Sequence, residues 1–322
     1  MEVAATARNG QDALRKLSHL EVDVITLDVE MPIMDGIETL RQIMSTNPLP
    51  VVMLSSVTKQ GSETTVRALA LGAVDFIPKP SGSISLDLEL VSKEIVDKVR
   101  TAATARIGKV QKTWTPPRTI HIRPPILETT AIQASKRIVI IGSSTGGPRA
   151  IEEVLAQIPP DLPAGILVVQ HMPKDFTQSF AERLNSLFAL RVKEAENGDQ
   201  IEDGKVLIAP GDYHMIVGSD RCVYLNQEER VMFLRPSIDV TMLSLPDVFG
   251  RHILGVILTG MGRDGAKGMA AIKRAGGKTI AQDKNTSTIY SMPRVVAEEG
   301  NADYILPIHR IGESITKIVS TM

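Results

Sequence analysis

Short apolar runs alternate with amphipathic segments along most of the chain. In the first third, this alternation predicts strands at 22–27, 50–56 and 73–79. It predicts helices between them at 36–44 and 63–71, and a closing helix within 83–105. Strands and helices that alternate at this period indicate a parallel sheet with helices on both faces.

The same alternation resumes at residue 137. Buried strands are predicted at 137–143, 165–170 and 252–260, and helices are predicted to begin near Pro148, Asp175 and Ala266. Two further apolar stretches, 206–217 and 221–227, predict a β-hairpin with its turn at 218–220. The predicted fold class is therefore α/β, with two doubly wound parallel-sheet domains, the second of which carries a β-hairpin.

The segment between these two halves contains four prolines and little periodicity, which is typical of a linker. We predict domains at 1–105 and 136–322 and a linker at 106–135. Basic residues of the linker could contact nucleic acid, but a solvated tether is the favoured interpretation. No segment has the pattern of a helix-turn-helix output domain, which argues against a transcription factor.

Composition narrows the choice of partners. The chain has 36 basic and 37 acidic residues, so no overall field attracts nucleic acid or an anionic membrane. A single cysteine excludes a disulfide framework and a cysteine-based metal site. No apolar run reaches the ~18 residues that span a bilayer, and the N-terminus lacks the pattern of a signal peptide. We expect a cytoplasmic protein with no membrane insertion.

The run RIVIIGSSTGGPRA, at 137–150, ends a buried strand in a cluster of small residues. Its glycines and serine match G-x-S-x-G, the spacing of a nucleophile elbow, which exposes the central hydroxyl of Ser144. A phosphate-binding loop or an ordinary strand-to-helix turn would fit the same residues. The interpretation of Ser144 as a nucleophile therefore depends on its partners.

Two polar residues supply those partners. His171 follows the predicted strand at 165–170, and Asp264 lies just beyond the strand at 252–260. The carboxyl ends of parallel strands meet at one edge of a sheet, so a serine, a base and an orienting carboxylate can converge there. His214 lies in the predicted hairpin, where a packed histidine is the favoured interpretation. The order Ser–His–Asp also differs from that of α/β-hydrolases.

The first domain shows a similar convergence at its predicted strand ends. Asp28, Ser55 and Lys79 bring an acid, a hydroxyl and an ammonium to the same edge. The motifs LDVEMPIMDG, VVMLSS and DFIPKP resemble those of a response-regulator receiver domain. The resemblance implies that Asp28 is phosphorylated, that Ser55 moves onto the phosphoryl group, that Lys79 is its charge partner and that Phe76 is the aromatic switch.

The chain departs from the receiver pattern at its start, where EVAATARNGQDAL resembles the second strand of that fold. The first strand, the first helix and the acidic pair that holds Mg²⁺ are missing, and of the metal ligands only Asp28 remains. A misassigned start codon would explain the gap. We expect a destabilised first domain and poor phosphorylation of Asp28 in this form.

The motifs GSSTGG, VVQHMP, RPSIDV and LTGMGRDG resemble the catalytic domain of bacterial chemotaxis methylesterases. The resemblance implies a catalytic triad of Ser144, His171 and Asp264, which needs no cofactor. Thr145 and the backbone amide of Met261 fall where the family has substrate or oxyanion contacts. A further segment, QDKNTSTIYSMP at 282–293, also resembles the family, and its role could be structural.

The family resemblance implies a response regulator that hydrolyses glutamate methyl esters and deamidates glutamines on methyl-accepting chemoreceptors. A chemotaxis histidine kinase would be its phosphodonor. One alternative is a non-enzymatic regulator whose GSSTGG loop binds a phosphate. Another is an esterase that is always uncovered because its receiver is incomplete.

Overall fold

The computed structural model describes residues 1–79, 88–107 and 134–322. The chain divides into two compact units, Met1–Thr115 and Pro116–Met322. Most of the predicted linker lies outside the described residues, as do residues 83–87 of the range predicted for the closing helix. Among the described helices, none has the length and apolar character needed to span a bilayer.

The first unit alternates strands with helices, as the sequence predicts. Its elements are α1 (Gly10–Leu17), β1 (Ile25–Asp28), α2 (Gly36–Thr46), β2 (Val51–Ser55), α3 (Lys59–Leu71), β3 (Asp75–Pro78) and α4 (Leu88–Ala103). The strands form a parallel sheet in the order β1-β2-β3. Helix α3 begins four residues before the predicted 63, because the Thr58 side chain accepts a hydrogen bond from Gly61 N and caps the helix there.

The N-terminal segment does not form the strand that its resemblance to a receiver predicts. Residues 1–7 have no regular secondary structure, and α1 follows them. In the described sheet β1 is an edge strand, and residues 1–7 do not pair with its free edge. A strand without a neighbour leaves its backbone hydrogen bonds unmade, which explains why the prediction fails here.

The second unit is built on a larger sheet. Its elements are β4 (Ile138–Ser143), α5 (Gly147–Leu155), β5 (Gly165–Gln170), α6 (Phe176–Leu187), β6 (Arg191–Glu194), β7 (Lys205–Ile208), β8 (His214–Val217), β9 (Val223–Asn226), α7 (Ile238–Leu243), α8 (Pro246–Phe249), β10 (Ile253–Ile257), α9 (Ala266–Arg274), β11 (Lys278–Gln282), α10 (Met292–Glu298), β12 (Tyr304–Leu306) and α11 (Ile308–Thr321). The sheet order is β12-β11-β10-β4-β5-β7-β6, and every pairing in it is parallel.

Strand β4 lies at the centre of this sheet, between β5 and β10. All residues of β4, β5 and β10 are buried. Because successive side chains of a strand point to opposite faces, complete burial means that both faces are covered. The α/β class with doubly wound parallel sheets is therefore confirmed, and the carboxyl ends of the three most buried strands meet at one edge.

The predicted hairpin is shorter than the sequence indicates. The stretch 206–217 is not one strand: β7 joins the parallel sheet, and only β8 pairs with β9 in the antiparallel hairpin. The two strands are separated at Pro210 and Gly211. Proline lacks a backbone donor, and Gly211 packs so closely on the loop after β5 that a Cβ would lie 2.3 Å from Lys174 N.

Candidate active site

Three adjacent strands deliver the predicted triad to the same edge of the sheet. Ser144 follows β4, His171 follows β5, and Asp264 lies in the loop after β10. The ends of β4 and β5 are in register, since Ser143 pairs with Gln170 and His171 N donates to Ser143 O at 3.2 Å. The parallel register, and not proximity in sequence, brings these residues together.

His171 and Asp264 form the most direct contact of the site. His171 Nε2 lies 2.8 Å from Asp264 Oδ2, and the exposed fractions of the two side chains are 9% and 1%. This contact leaves Nδ1 as the ring nitrogen available to a substrate or nucleophile. A carboxylate in this position fixes the orientation of the ring and stabilises the imidazolium once it forms.

The Asp264 carboxylate is held at the start of α7. It accepts hydrogen bonds from Ser237 Oγ at 2.9 Å, from Ile238 N at 2.7 Å and from Asp239 N at 3.0 Å. Burial by itself raises the pKa of Asp264, but the hydrogen bond and charge of His171 and the N–H donors of Asp239 and Ile238 outweigh it, so the pKa lies below its ordinary value. Asp264 is therefore an ionised, rigidly placed acceptor.

Ser144 is partly exposed, whereas its neighbour Ser143 is fully buried. Two glycines shape the backbone around Ser144. A Cβ on Gly260 would lie 2.8 Å from Ser144 Cβ, so only glycine fits there, and Gly146 has a φ of 77° at the start of α5, a conformation that glycine favours. No hydrogen bond joins Ser144 Oγ to His171 among the described contacts. Such bonds are often long before substrate binds, so the separation is compatible with a nucleophile and its base.

Gln170 ties the serine and histidine segments together, a role that sequence reasoning missed. Its Oε1 accepts from Ser143 Oγ at 2.7 Å, and its Nε2 donates to Ser144 O at 3.0 Å and to His171 O at 3.1 Å. The side chain is 2% exposed. The signal that could have found it is its place directly before His171 at the end of a buried strand.

The family-like segment at 282–293 braces the end of β10. Gln282 Oε1 accepts from Thr259 N at 2.8 Å, and Thr259 Oγ1 accepts from Ile289 N at 2.9 Å. Thr259 Oγ1 also donates to Thr145 O at 3.0 Å. The segment thus fixes the β10 end beside the loop that carries Ser144, which is a structural role.

Of the two predicted substrate or oxyanion residues, Thr145 directly follows Ser144 and Met261 lies in the loop after β10. Thr145 is buried, and Met261 follows the β10 end with an exposed fraction of 51%. Their contacts with substrate stay predictions. His214 is the buried, hydrogen-bonded histidine that its context predicts: its Nδ1 accepts from Ser237 N at 3.2 Å, and its Nε2 lies 3.1 Å from Glu229 O.

In the first unit, the structure brings together two of the three polar residues predicted to meet. Lys79 Nζ lies 2.7 Å from Asp28 Oδ2. Ser55 is buried and makes no hydrogen bond to either of them among the described contacts; its hydroxyl donates to Gly61 O and accepts from Thr65 Oγ1. Phe76 is also buried, with Lys98 Nζ 5.2 Å from its ring centre.

The residues around Asp28 do not form a Mg²⁺ site. Within the described ranges, no three acidic, histidine or cysteine side chains cluster so that they could hold a metal ion. The Asp28 carboxylate itself is bonded to Lys79 and accepts from Glu30 N at 3.0 Å. Since Mg²⁺ needs several oxygen ligands, this donor set does not fit the ion.

Family models match both units. Residues 139–315 match the model of CheB methylesterase, and residues 1–90 match that of the response regulator receiver domain. A curated protein-glutamate methylesterase/protein-glutamine glutaminase of Symbiobacterium thermophilum is 50% identical over 324 residues, which cover 98% of this chain and 90% of that protein. A protein of the same name from Thermotoga maritima is 42% identical, with 99% and 91% covered.

A solved structure supports the same relationship. The crystal structure of the Thermotoga maritima CheB methylesterase catalytic domain matches with a TM-score of 0.55 and 44% identity, and the match covers 57% of this chain and 98% of that domain. The chain therefore belongs to the CheB methylesterase family and carries a response-regulator receiver domain in front of the esterase domain.

Proposed function

We propose that this protein is a cytoplasmic chemotaxis enzyme that hydrolyses glutamate methyl esters and deamidates glutamines on methyl-accepting chemoreceptors. The observation that carries the proposal is the 2.8 Å contact between His171 Nε2 and the buried Asp264 carboxylate, at the sheet edge where β4 ends beside Ser144. The family relationship supports the same substrates. The triad of Ser144, His171 and Asp264 is part of the proposal.

The first step is acyl transfer to the enzyme. His171 Nδ1 takes the proton of the Ser144 hydroxyl, and Oγ forms a bond to the side-chain carbonyl carbon of the substrate. Asp264 stabilises the positive charge that the imidazole gains. The bond to the methoxy oxygen then breaks, and methanol leaves with the proton from His171. For a glutamine, ammonia leaves in the same way.

The second step returns the enzyme to its starting state. Water attacks the acyl-enzyme while His171 accepts its proton. The bond between the substrate and Ser144 Oγ then breaks, His171 returns the proton to Ser144 Oγ, and a free glutamate remains on the receptor. In both steps negative charge develops on the carbonyl oxygen. Backbone donors near Thr145 and Met261 would stabilise it, and each such donor is commonly worth about 10²-fold in rate.

A serine-directed phosphonate probe tests the esterase. We expect the probe to label Ser144 of the wild-type chain, and to label neither the Ser144→Ala nor the His171→Ala variant. Both variants should release no methanol from methylated receptors. Ser291→Ala removes a nearby hydroxyl that donates to Gly262 O and should keep full labelling. A wild-type chain that resists the probe would instead support a non-enzymatic phosphate-binding module.

We further propose that Asp28 is the residue that a chemotaxis histidine kinase phosphorylates to regulate the enzyme, and that phosphorylation is poor in this form because the residues around Asp28 do not fit Mg²⁺. The ion pair with Lys79 supports this role, because a lysine beside the acceptor can bind the phosphoryl group. Asp28→Asn should abolish any rise in methanol release on addition of a phosphodonor and leave basal activity unchanged. If methanol release by Asp28→Asn still rises on addition of a phosphodonor, a residue other than Asp28 is phosphorylated.

A further inference from the structure

A tight two-residue turn in the second unit exposes two apolar side chains. Val231 and Leu234 exchange backbone hydrogen bonds of 3.1 and 2.9 Å, which leaves Met232 and Phe233 at the tip. Phe233 has an exposed fraction of 92%, the largest of any large apolar residue in the described ranges, and Met232 has 45%. We call Met232 and Phe233 the apolar tip.

The backbone of the apolar tip is unfavourable for these residues. Met232 has a φ of 52° and Phe233 a φ of 65°. Two-residue hairpin turns with positive φ at both positions strongly favour Asn-Gly or Asp-Gly, because a Cβ is disfavoured in the left-handed region. Neither stability nor burial explains methionine and phenylalanine here, and strained backbone of this kind is often found at ligand contacts.

The base of the turn is held firmly, so the apolar tip is presented in a fixed position. Arg235 Nη1 donates to Gln227 O and Glu228 O at 2.8 Å each, and its Nη2 donates to Asp212 Oδ1 at 2.7 Å. Arg230 Nη2 donates to the same carboxylate oxygen at 2.7 Å. A rigid apolar anchor loses little conformational entropy when it binds a partner.

The same contacts connect the turn to the catalytic residues. Pro236 leads directly from the turn to Ser237, whose hydroxyl donates to Asp264 Oδ1. Asp212 anchors the turn and directly follows Gly211. Gly211 packs against the backbone of Pro173 and Lys174, which lie just beyond His171 in the chain. The apolar tip is therefore attached to both the histidine and the aspartate side of the triad.

We propose that the apolar tip is a docking contact for the protein substrate. The tip binds an apolar side chain that lies close to the methylated glutamate on a receptor helix. This inference rests on the proposed function. A glutamate methyl ester is small and offers few contacts, so selection of a receptor over a free ester requires binding away from the reacting atoms. Exposed aromatic anchors commonly dominate such interfaces. On a helix, residues three or four positions from the ester share its face.

The test compares protein and small substrates in the full-length chain. Phe233→Ala removes the aromatic anchor. The double variant Met232→Asn/Phe233→Gly also removes the apolar tip but installs the residues that the turn prefers, so it should be at least as stable as wild type. Ile305→Ala, which removes another exposed apolar side chain, on edge strand β12, is the control. The readouts are methanol release from a methylated receptor cytoplasmic fragment and from a blocked glutamate methyl ester.

We expect both tip variants to raise KM for the receptor fragment by about tenfold, a usual size for the loss of an interface anchor, while kcat changes little. Turnover of the small ester should stay within about twofold of wild type, and Ile305→Ala should match wild type on both substrates. Unchanged KM for the receptor fragment would overturn the docking role, as would an equal loss on both substrates. Higher activity in the tip variants would mean that the tip binds a restraining segment of this chain, which also contradicts the proposal. If wild type hydrolyses neither substrate, the proposed function fails first.

Discussion

Gln170 is the residue whose side chain holds the relative position of the proposed nucleophile and base. Its amide donates to the carbonyls of Ser144 and His171 and accepts from Ser143, so one group fixes two strand ends. Gln170→Glu keeps the shape and the acceptor for Ser143 but turns a carboxylate oxygen towards the two carbonyls. We expect kcat to fall by about 10²-fold, since a small displacement of catalytic groups has effects of this size.

Steady-state hydrolysis of a small ester checks this expectation, with unfolding curves to show that the variant is folded. Ser143→Ala removes only one of the hydrogen bonds of Gln170 and should reduce kcat far less. Wild-type kcat in Gln170→Glu would mean that the strand register alone positions the site.

Asp264 should make stability depend on pH in the acid range. Its pKa is lower in the folded than in the unfolded chain, mainly because His171 and the N–H donors of α7 outweigh the effect of burial. The stabilisation is therefore fully present above the ordinary aspartate pKa of about 4, and it is lost as pH falls through the lowered folded value. Measured from pH 7 to pH 2, the difference in unfolding free energy between wild type and Asp264→Asn should shrink with acidity. A constant difference would contradict the assignment.

Sequence reasoning predicted that Ser144, His171 and Asp264 lie at one edge of the sheet because each follows a recognisable apolar strand, and the structure has them there. It did not find Gln170 or the cap from Ser237, although both lie in motifs that resemble the family. Their roles depend on which strands are neighbours and in what register, and a single sequence does not contain that information. Sequence reasoning also did not predict the hydrogen bond between the buried Ser55 hydroxyl and Thr65, because Thr65 lies in helix α3 and the contact depends on the fold.

Among the elements, helices α5 and α6, which follow the serine and histidine strands in the chain, are joined by an ion pair. Arg183 Nε lies 2.5 Å from Glu152 Oε1, and the Glu152 side chain is 1% exposed. Burial raises the pKa of Glu152, against the opposing effect of Arg183. Arg183→Met would leave a buried carboxylate without its partner, and we expect a loss of about 3 kcal/mol in unfolding free energy.

Denaturant unfolding measures this loss. The double variant Glu152→Leu/Arg183→Met replaces both charges by apolar groups and should recover most of the stability, because no unpaired charge remains. A single Arg183→Met variant as stable as wild type would show that the ion pair contributes little.

The elements that sequence reasoning placed best are the fully buried strands β4, β5 and β10, whose apolar runs have no polar interruption. The error at 206–217 has the opposite origin: only the five residues 209–213 separate the end of β7 from the start of β8, so the two apolar strands resemble one continuous strand. Hydrophobicity alone does not tell which sheet a strand joins. The N-terminal segment has no strand partner in the described sheet, and strand propensity without such pairing does not form a strand.

For the whole molecule, two separate cores predict two unfolding events. Buried residues cluster around the seven-stranded sheet in one unit and around the three-stranded sheet in the other. We expect differential scanning calorimetry to show two transitions, with the first unit melting at the lower temperature because its described sheet is smaller and β1 is an edge strand with Thr26 exposed.

Core substitutions assign the transitions. Leu40 and Leu167 are both fully buried, one in each unit. Leu40→Ala should lower only the first transition and Leu167→Ala only the second, each by about 3 kcal/mol at its own midpoint. One cooperative transition that both variants shift would mean that the units do not unfold independently.

The central position of β4 also determines when enzyme activity can arise during protein synthesis. Ser144 emerges from the ribosome early, but β4 gains its second neighbour only when β10 has been made, and Asp264 comes later still. Chains that stop before residue 253 should therefore be inactive, however long their Ser144 has been exposed. By then the whole first unit, Met1–Thr115, has been synthesised, so the receiver unit of this chain is made before the esterase can act.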